Sequence, residues 1–125
     1  MIPVAPWRLP RLEVERLVAQ RTPHLPVLVG DAWVQVGPYQ PGDGCEACVG
    51  AHEGGVMPAH LVPVPSPAAR WQAVASVLSA LRLASAGELR PGWGARIAQS
   101  GGAVSALPSP PACACRARPG TARAA

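Results

Sequence analysis

The sequence predicts a small α+β domain made of β-hairpins and one long helix, tied together by cysteines. Three observations carry that expectation. A hairpin signature, PVLVGDAWVQVG, runs from Pro26 to Gly37. A long apolar-periodic stretch follows Ser66-Pro67. Two close cysteine pairs, Cys45/Cys48 and Cys113/Cys115, stand far apart in the chain. A length of 125 residues allows one domain. The chain holds 16 Pro and 13 Gly, one Tyr and no Phe, and much of its apolar content is Ala and Val. Such a chain has a thin core to set against ordering entropy of roughly 1–2 kcal/mol per residue. Small domains of this kind gain the remaining stability from a metal, disulfides or a partner.

Each element has its own local reason. Residues 1–10 are broken by Pro3, Pro6 and Pro10 and read as extended chain. In RLEVERLVAQ, Val14, Leu17 and Val18 fall at i, i+3 and i+4, the spacing of a short amphipathic helix, and Pro23 closes it. Pro26–Val29 and Ala32–Val36 are β-rich runs separated by Gly30-Asp31, a two-residue hairpin loop. Strand alternation sets Trp33 and Gln35 on one face and Val34 and Val36 on the other. Prolines at 58, 63, 65 and 67 exclude a helix from 54–67, which reads as a surface linker. Ser66 then supplies an N-cap and Pro67 the first helical position. The helix runs from Ala68 to about Ala86, with Trp71, Val74, Leu78 and Leu81 along one stripe and Gly87 as its stop. Ala95–Gln99 and Ala103–Leu107 flank Ser100-Gly101-Gly102 and read as a second hairpin. The expected organisation is an N-terminal extended segment and helix over 1–22, a clamped domain over 23–116, and a disordered tail over 117–125.

Charge and motifs exclude several functions. The net charge of +4 comes from arginine alone, and the arginines are scattered except for Arg116, Arg118 and Arg123 near the C-terminus. Nucleic-acid binding needs a clustered basic face with stacking aromatics, so none is expected. No apolar run reaches the roughly 20 residues of a membrane span, and no signal peptide is visible, which points to a cytoplasmic protein. No G-x-G-x-x-G follows a strand, and a G-x-x-x-x-G-K-[ST] loop is impossible without lysine. His24, His52 and His60 pair with no Ser or Cys in a nucleophile pattern, and the acidic residues are dispersed. No catalytic constellation is visible, so a function without catalysis by the chain itself is expected.

The cysteines are the candidate site. In a reducing compartment, close pairs point to metal before disulfides. Four thiolates from Cys45, Cys48, Cys113 and Cys115 would close a tetrahedral structural Zn²⁺ site with no position left for water. His52 could stand in for one cysteine as ligand, but four sulfurs already fill the shell, and a histidine here is more often solvent-exposed or hydrogen-bonded to a loop carbonyl. The alternatives are unrelated cysteines and a redox C-x-x-C, the latter disfavoured because Val-Gly-Ala-His-Glu-Gly-Gly after Cys48 is a poor helix.

The stretch HLPVLVGDAWVQVGPYQPGDGCEACVGAH, followed at the far end by Pro111-x-Cys113-x-Cys115, resembles the ThiF/MoeB-like (ubiquitin-activating-enzyme-like) proteins of thiazole/oxazole-modified microcin biosynthesis. These are the cyclodehydratase-partner or leader-peptide-binding proteins of azole-forming, bacteriocin-type clusters. The likeness covers about Pro23 to Cys115 and is most specific from Val36 to Cys48. It departs after Cys48, where relatives carry a His-Arg-containing helix and this chain has His52-Glu53-Gly54-Gly55. The Rossmann nucleotide-binding half and any peptide-recognition domain before His24 are missing. The resemblance therefore implies the C-terminal, zinc-clamped portion of a ThiF-like fold, with the four cysteines as structural ligands. It implies a non-catalytic partner that presents a precursor peptide to, or docks on, a YcaO-type cyclodehydratase, with the hairpin 26–36 and the helix 68–86 as docking surface. A separate Rossmann-type or peptide-recognition chain could complete it. The rival readings are the zinc half of a split ThiF-like adenylyltransferase and a generic zinc interaction module.

Overall fold

The computed structural model describes residues 1–45, 48 and 61–107. Over these residues it is α+β, with one five-stranded mixed sheet and two described helices. In chain order these are β1 (Val4–Pro6), α1 (Arg11–Ala19), β2 (Val27–Val29), β3 (Trp33–Val36), α2 (Pro67–Ser85), β4 (Ala95–Ala98) and β5 (Val104–Ala106). The sheet order is β1-β2-β3-β4-β5. β1 pairs parallel to β2, and every other pairing is antiparallel.

The two hairpins form where the sequence places them, joined into one sheet by β3 and β4. In the first, Gly30 N–H donates to the Trp33 carbonyl at 2.9 Å, so the turn residues are Asp31 and Ala32, one position later than expected. Glycine fits closely at position 30, where a Cβ would lie 3.1 Å from the Trp33 carbonyl and 3.5 Å from the Trp7 ring. The N-terminal segment is more than extended chain. Val4, Ala5 and Pro6 add a parallel strand against Val27, Leu28 and Val29, so residues 1–22 share the sheet of the residues that follow. A parallel neighbour cannot be reached by a tight turn, and α1 is the crossover.

The sheet is covered on both faces. Val27, Val34, Val36 and Ile97 point one way and meet Ala69, Ala73 and Ala80 of α2. Leu28 and Ala5 point the other way and meet Leu9, Val14 and Leu17 at and beside α1. The hairpin 26–36 is thus interior: Val27, Leu28, Val34, Gln35 and Val36 are all buried. Of the two elements expected to offer a docking surface, only the helix keeps a broad exposed face.

That helix begins and ends on local signals. The Ser66 side chain accepts from Ala69 N–H at 3.2 Å, and Pro67 occupies the first turn. At the far end Gly87 takes φ 72°, and Gly87 and Glu88 donate to the carbonyls of Ala84 and Leu83, the Schellman arrangement. Its start is pinned to the hairpins by Gln99, which accepts from Ser66 N–H at 2.7 Å and donates to the Gly30 carbonyl at 2.9 Å. The stripe Trp71, Val74, Leu78 and Leu81, however, does not face the sheet. All four are exposed, and Ala69, Ala73 and Ala80, with half-buried Val77, make the contact instead. Among the described residues, no helix is long and apolar enough to cross a membrane.

Candidate metal centre

The chain leaves β3 through a cis Gly37–Pro38 peptide and is held by backbone pairing before it reaches the cysteines. Tyr39 N–H donates to the Trp93 carbonyl at 2.7 Å, and Gly92 N–H returns to the Tyr39 carbonyl at 2.9 Å. Gln40 forms an isolated antiparallel bridge with His24, both N–H···O bonds at 2.9 Å. The loop is next pressed against the end of α1. Gly42 has φ 93°, and a Cβ there would run into the Arg21 carbonyl. The Gly/Pro-rich composition therefore serves close backbone approach at defined points.

Beyond these anchors the two thiols meet. Cys45 is half-buried and Cys48 is buried with helical backbone, and their sulfurs lie 3.8 Å apart. Two sulfurs on a tetrahedral Zn²⁺, each at about 2.3 Å, are separated by about 3.8 Å. The pair is already spaced as one edge of such a site, and the same distance suits a thiol donating to its neighbour. Gln40, buried beside them, donates from Nε2 to the Cys48 carbonyl at 3.1 Å and fixes the backbone that carries the second sulfur. Gly44 fits tightly beneath: a Cβ would lie 3.1 Å from Cys48 Cβ and 3.3 Å from Gln40 Oε1.

Cys113 and Cys115, the other expected ligands, lie outside the described residues, as do His52 and His60. Among the described residues no group of three or more His, Cys, Asp or Glu side chains comes together. The structure thus brings together half of the expected ligand set. His24 is buried, its Nδ1 lies 2.8 Å from the Thr22 carbonyl, and its Nε2 has no hydrogen-bond partner among the described residues. It belongs to the wall that shapes the loop through its pairing with Gln40. Sequence reasoning missed Gln40, His24 and Gly44 as supports of the thiol pair. The only sequence signal for Gln40 is its place between Pro38 and Pro41, which hides the resumption of strand-like pairing after β3.

No protein-family model matches this chain, and no curated protein or solved structure matches it either. What the site can do chemically rests on its own residues. Two sulfurs on one loop, with a buried amide bracing the second, can hold one edge of a soft metal ion's shell and require two further ligands to close it.

Proposed function

We propose that this chain is a non-catalytic, zinc-stabilised partner protein in ribosomal-peptide azole biosynthesis. It presents a precursor peptide to a YcaO-type cyclodehydratase or docks on that enzyme. The observation that carries the reading is the Cys45–Cys48 pair, held at 3.8 Å by an anchored Gly-rich loop. That loop is also where the sequence resembles the ThiF-like cyclodehydratase partners most specifically. Zn²⁺ would be held by Cys45, Cys48, Cys113 and Cys115, and its role is to tie the loop after β3 to the C-terminal segment. Gln40 and Gly44 would preserve the thiol spacing.

The test combines metal content with partner binding. The purified chain is assayed for zinc, then mixed with a YcaO-type cyclodehydratase and precursor peptide from the same genome and re-purified at raised salt. The expected result is one zinc per chain and a complex that survives the salt wash. Zinc without any binding to enzyme or peptide would reduce the protein to a zinc-dependent interaction module. A folded chain with neither zinc nor a complex would end the proposal.

A further inference from the structure

The outer face of α2 leaves four large apolar side chains in water. Side chains at 69, 73 and 80 meet the sheet. At 3.6 residues per turn, those at 71, 74, 78 and 81 sit about 150° away around the helix. Trp71 is 72% exposed, Val74 46%, Leu78 56% and Leu81 47%. Together they leave on the order of 400 Å² of apolar side chain in solvent, as much as the largest patch on a typical monomer. Their 3-4-3 spacing is that of the a and d positions of a helix-pairing seam. The rest of the sequence offers little to cover it. Outside the described residues, Val49, Val56 and Met57 are the only large apolar side chains.

We propose that this seam pairs with its own copy, as an antiparallel two-helix interface with its two-fold axis level with Ser76. The spacing is symmetric about that residue. Rotation sets Trp71 opposite Leu81 of the second copy and Val74 opposite Leu78, so one patch serves both subunits, as a two-fold interface requires. A concavity lies where the indole would pack. Leu78, Leu81, Arg82 and Ser85, with Ala86 at the rim, line a shallow groove on the outer face of α2. Four residues at i, i+3, i+4 and i+7 are the hole into which a facing knob packs. At this level the knob is Trp71, and the Arg82 guanidinium stands on the flank where it can lie over the indole.

Charge does not oppose the pairing. Arg70 and Arg82 are the only charged residues of α2. They flank the seam on opposite sides, so Arg70 and Arg82 of the second copy share a level but not a side. With the flanking stems, each copy would bury about 600–800 Å², at the small end of specific interfaces. The expected association is therefore reversible, with a Kd of roughly tens of micromolar. It needs neither a metal nor a cyclodehydratase.

Sedimentation equilibrium of the full chain under reductant, from about 1 to 300 µM, tests it. The wild type should pass from monomer to dimer across that range. Leu78→Glu should weaken the dimer at least tenfold, Trp71→Ala by about tenfold, and Arg82→Ala by a few-fold. Leu12→Glu, at an exposed α1 position off the seam, should leave the dimer unchanged. Because Leu78 faces solvent in the monomer, Leu78→Glu should also keep the wild-type circular dichroism and melting point in dilute solution. A wild type that stays monomeric to 300 µM overturns the proposal and leaves the face to a different protein. A folded Leu78→Glu chain that dimerises as tightly as the wild type overturns it as well.

Discussion

Arg21 holds φ 48° at the position where a helix usually ends on glycine. Its N–H donates to the Val18 carbonyl at 3.1 Å and Thr22 N–H to the Leu17 carbonyl at 3.0 Å, so α1 closes on a Schellman motif with a non-glycine residue in the left-handed place. α2 closes the same way, but on Gly87, where a Cβ would meet no atom within 4 Å. The two ends are a matched pair that differ in one side chain. A left-handed conformation costs an L-residue roughly 1–2 kcal/mol, offset in part by the larger unfolded-state entropy of glycine. Arg21→Gly should therefore stabilise the fold by about 0.5–1 kcal/mol, and Gly87→Ala should destabilise it by about 1 kcal/mol. Urea titrations of the two variants beside the wild type would read both signs, and a loss of stability in Arg21→Gly would mean that its side chain contributes more than its backbone costs. Gly42 is the harsher case, because its positive φ comes with the Arg21 carbonyl in the way of any Cβ.

At the scale of elements, α2 inverts the usual distribution of side chains. It turns Ala69, Ala73 and Ala80 to the sheet, where Val27, Val34, Val36 and Ile97 supply the bulk, and turns Trp71, Leu78 and Leu81 outward. Small residues let the helix lie close to a β-branched sheet surface; Gly102 fits against Ala68 for the same reason, with a Cβ there only 3.1 Å from Ala68 Cβ. Ala73→Leu should then overfill the layer and cost about 1–3 kcal/mol. Leu78→Ala should change the stability of the dilute monomer by no more than about 0.5 kcal/mol. Equal effects in denaturant unfolding would refute this assignment of faces. The helix itself was legible from Ser66, Pro67 and Gly87, because capping is a local event. Its orientation was not, since periodicity marks an apolar stripe without saying whether the stripe or a row of alanines meets the sheet. Both hairpins were legible from Gly-containing turns between β-rich runs. β1 was hidden because a three-residue strand holding Pro6 has no periodicity, and only its parallel pairing with Val27–Val29 reveals it.

For the whole molecule, the thin core and the thiol pair belong to one balance. The buried apolar set on the α2 side is Leu25, four Val and Ile side chains and three alanines, and a second set of five small and medium residues lies under α1. Neither contains a fully buried aromatic ring. A metal bound only by the folded chain adds stability in proportion to RT ln(1 + [L]/Kd), about 4 kcal/mol at a thousandfold excess over Kd. If Cys45 and Cys48 form one edge of a four-sulfur zinc site, the melting temperature should rise with zinc and fall with chelator, and Cys113→Ser/Cys115→Ser should abolish the difference. The pH dependence has a definite sign. Each thiol must lose its proton to ligate, so acid competes with the metal and the zinc-dependent part of the stability is lost as pH falls. Melts with zinc and with chelator should thus lie far apart at pH 8 and converge towards pH 5. A zinc-dependent shift that persists in the double serine variant would place the remaining ligands elsewhere than Cys113 and Cys115. The absence of any shift in the wild type would make the 3.8 Å pair a thiol contact and remove the metal from the account of how this chain stays folded.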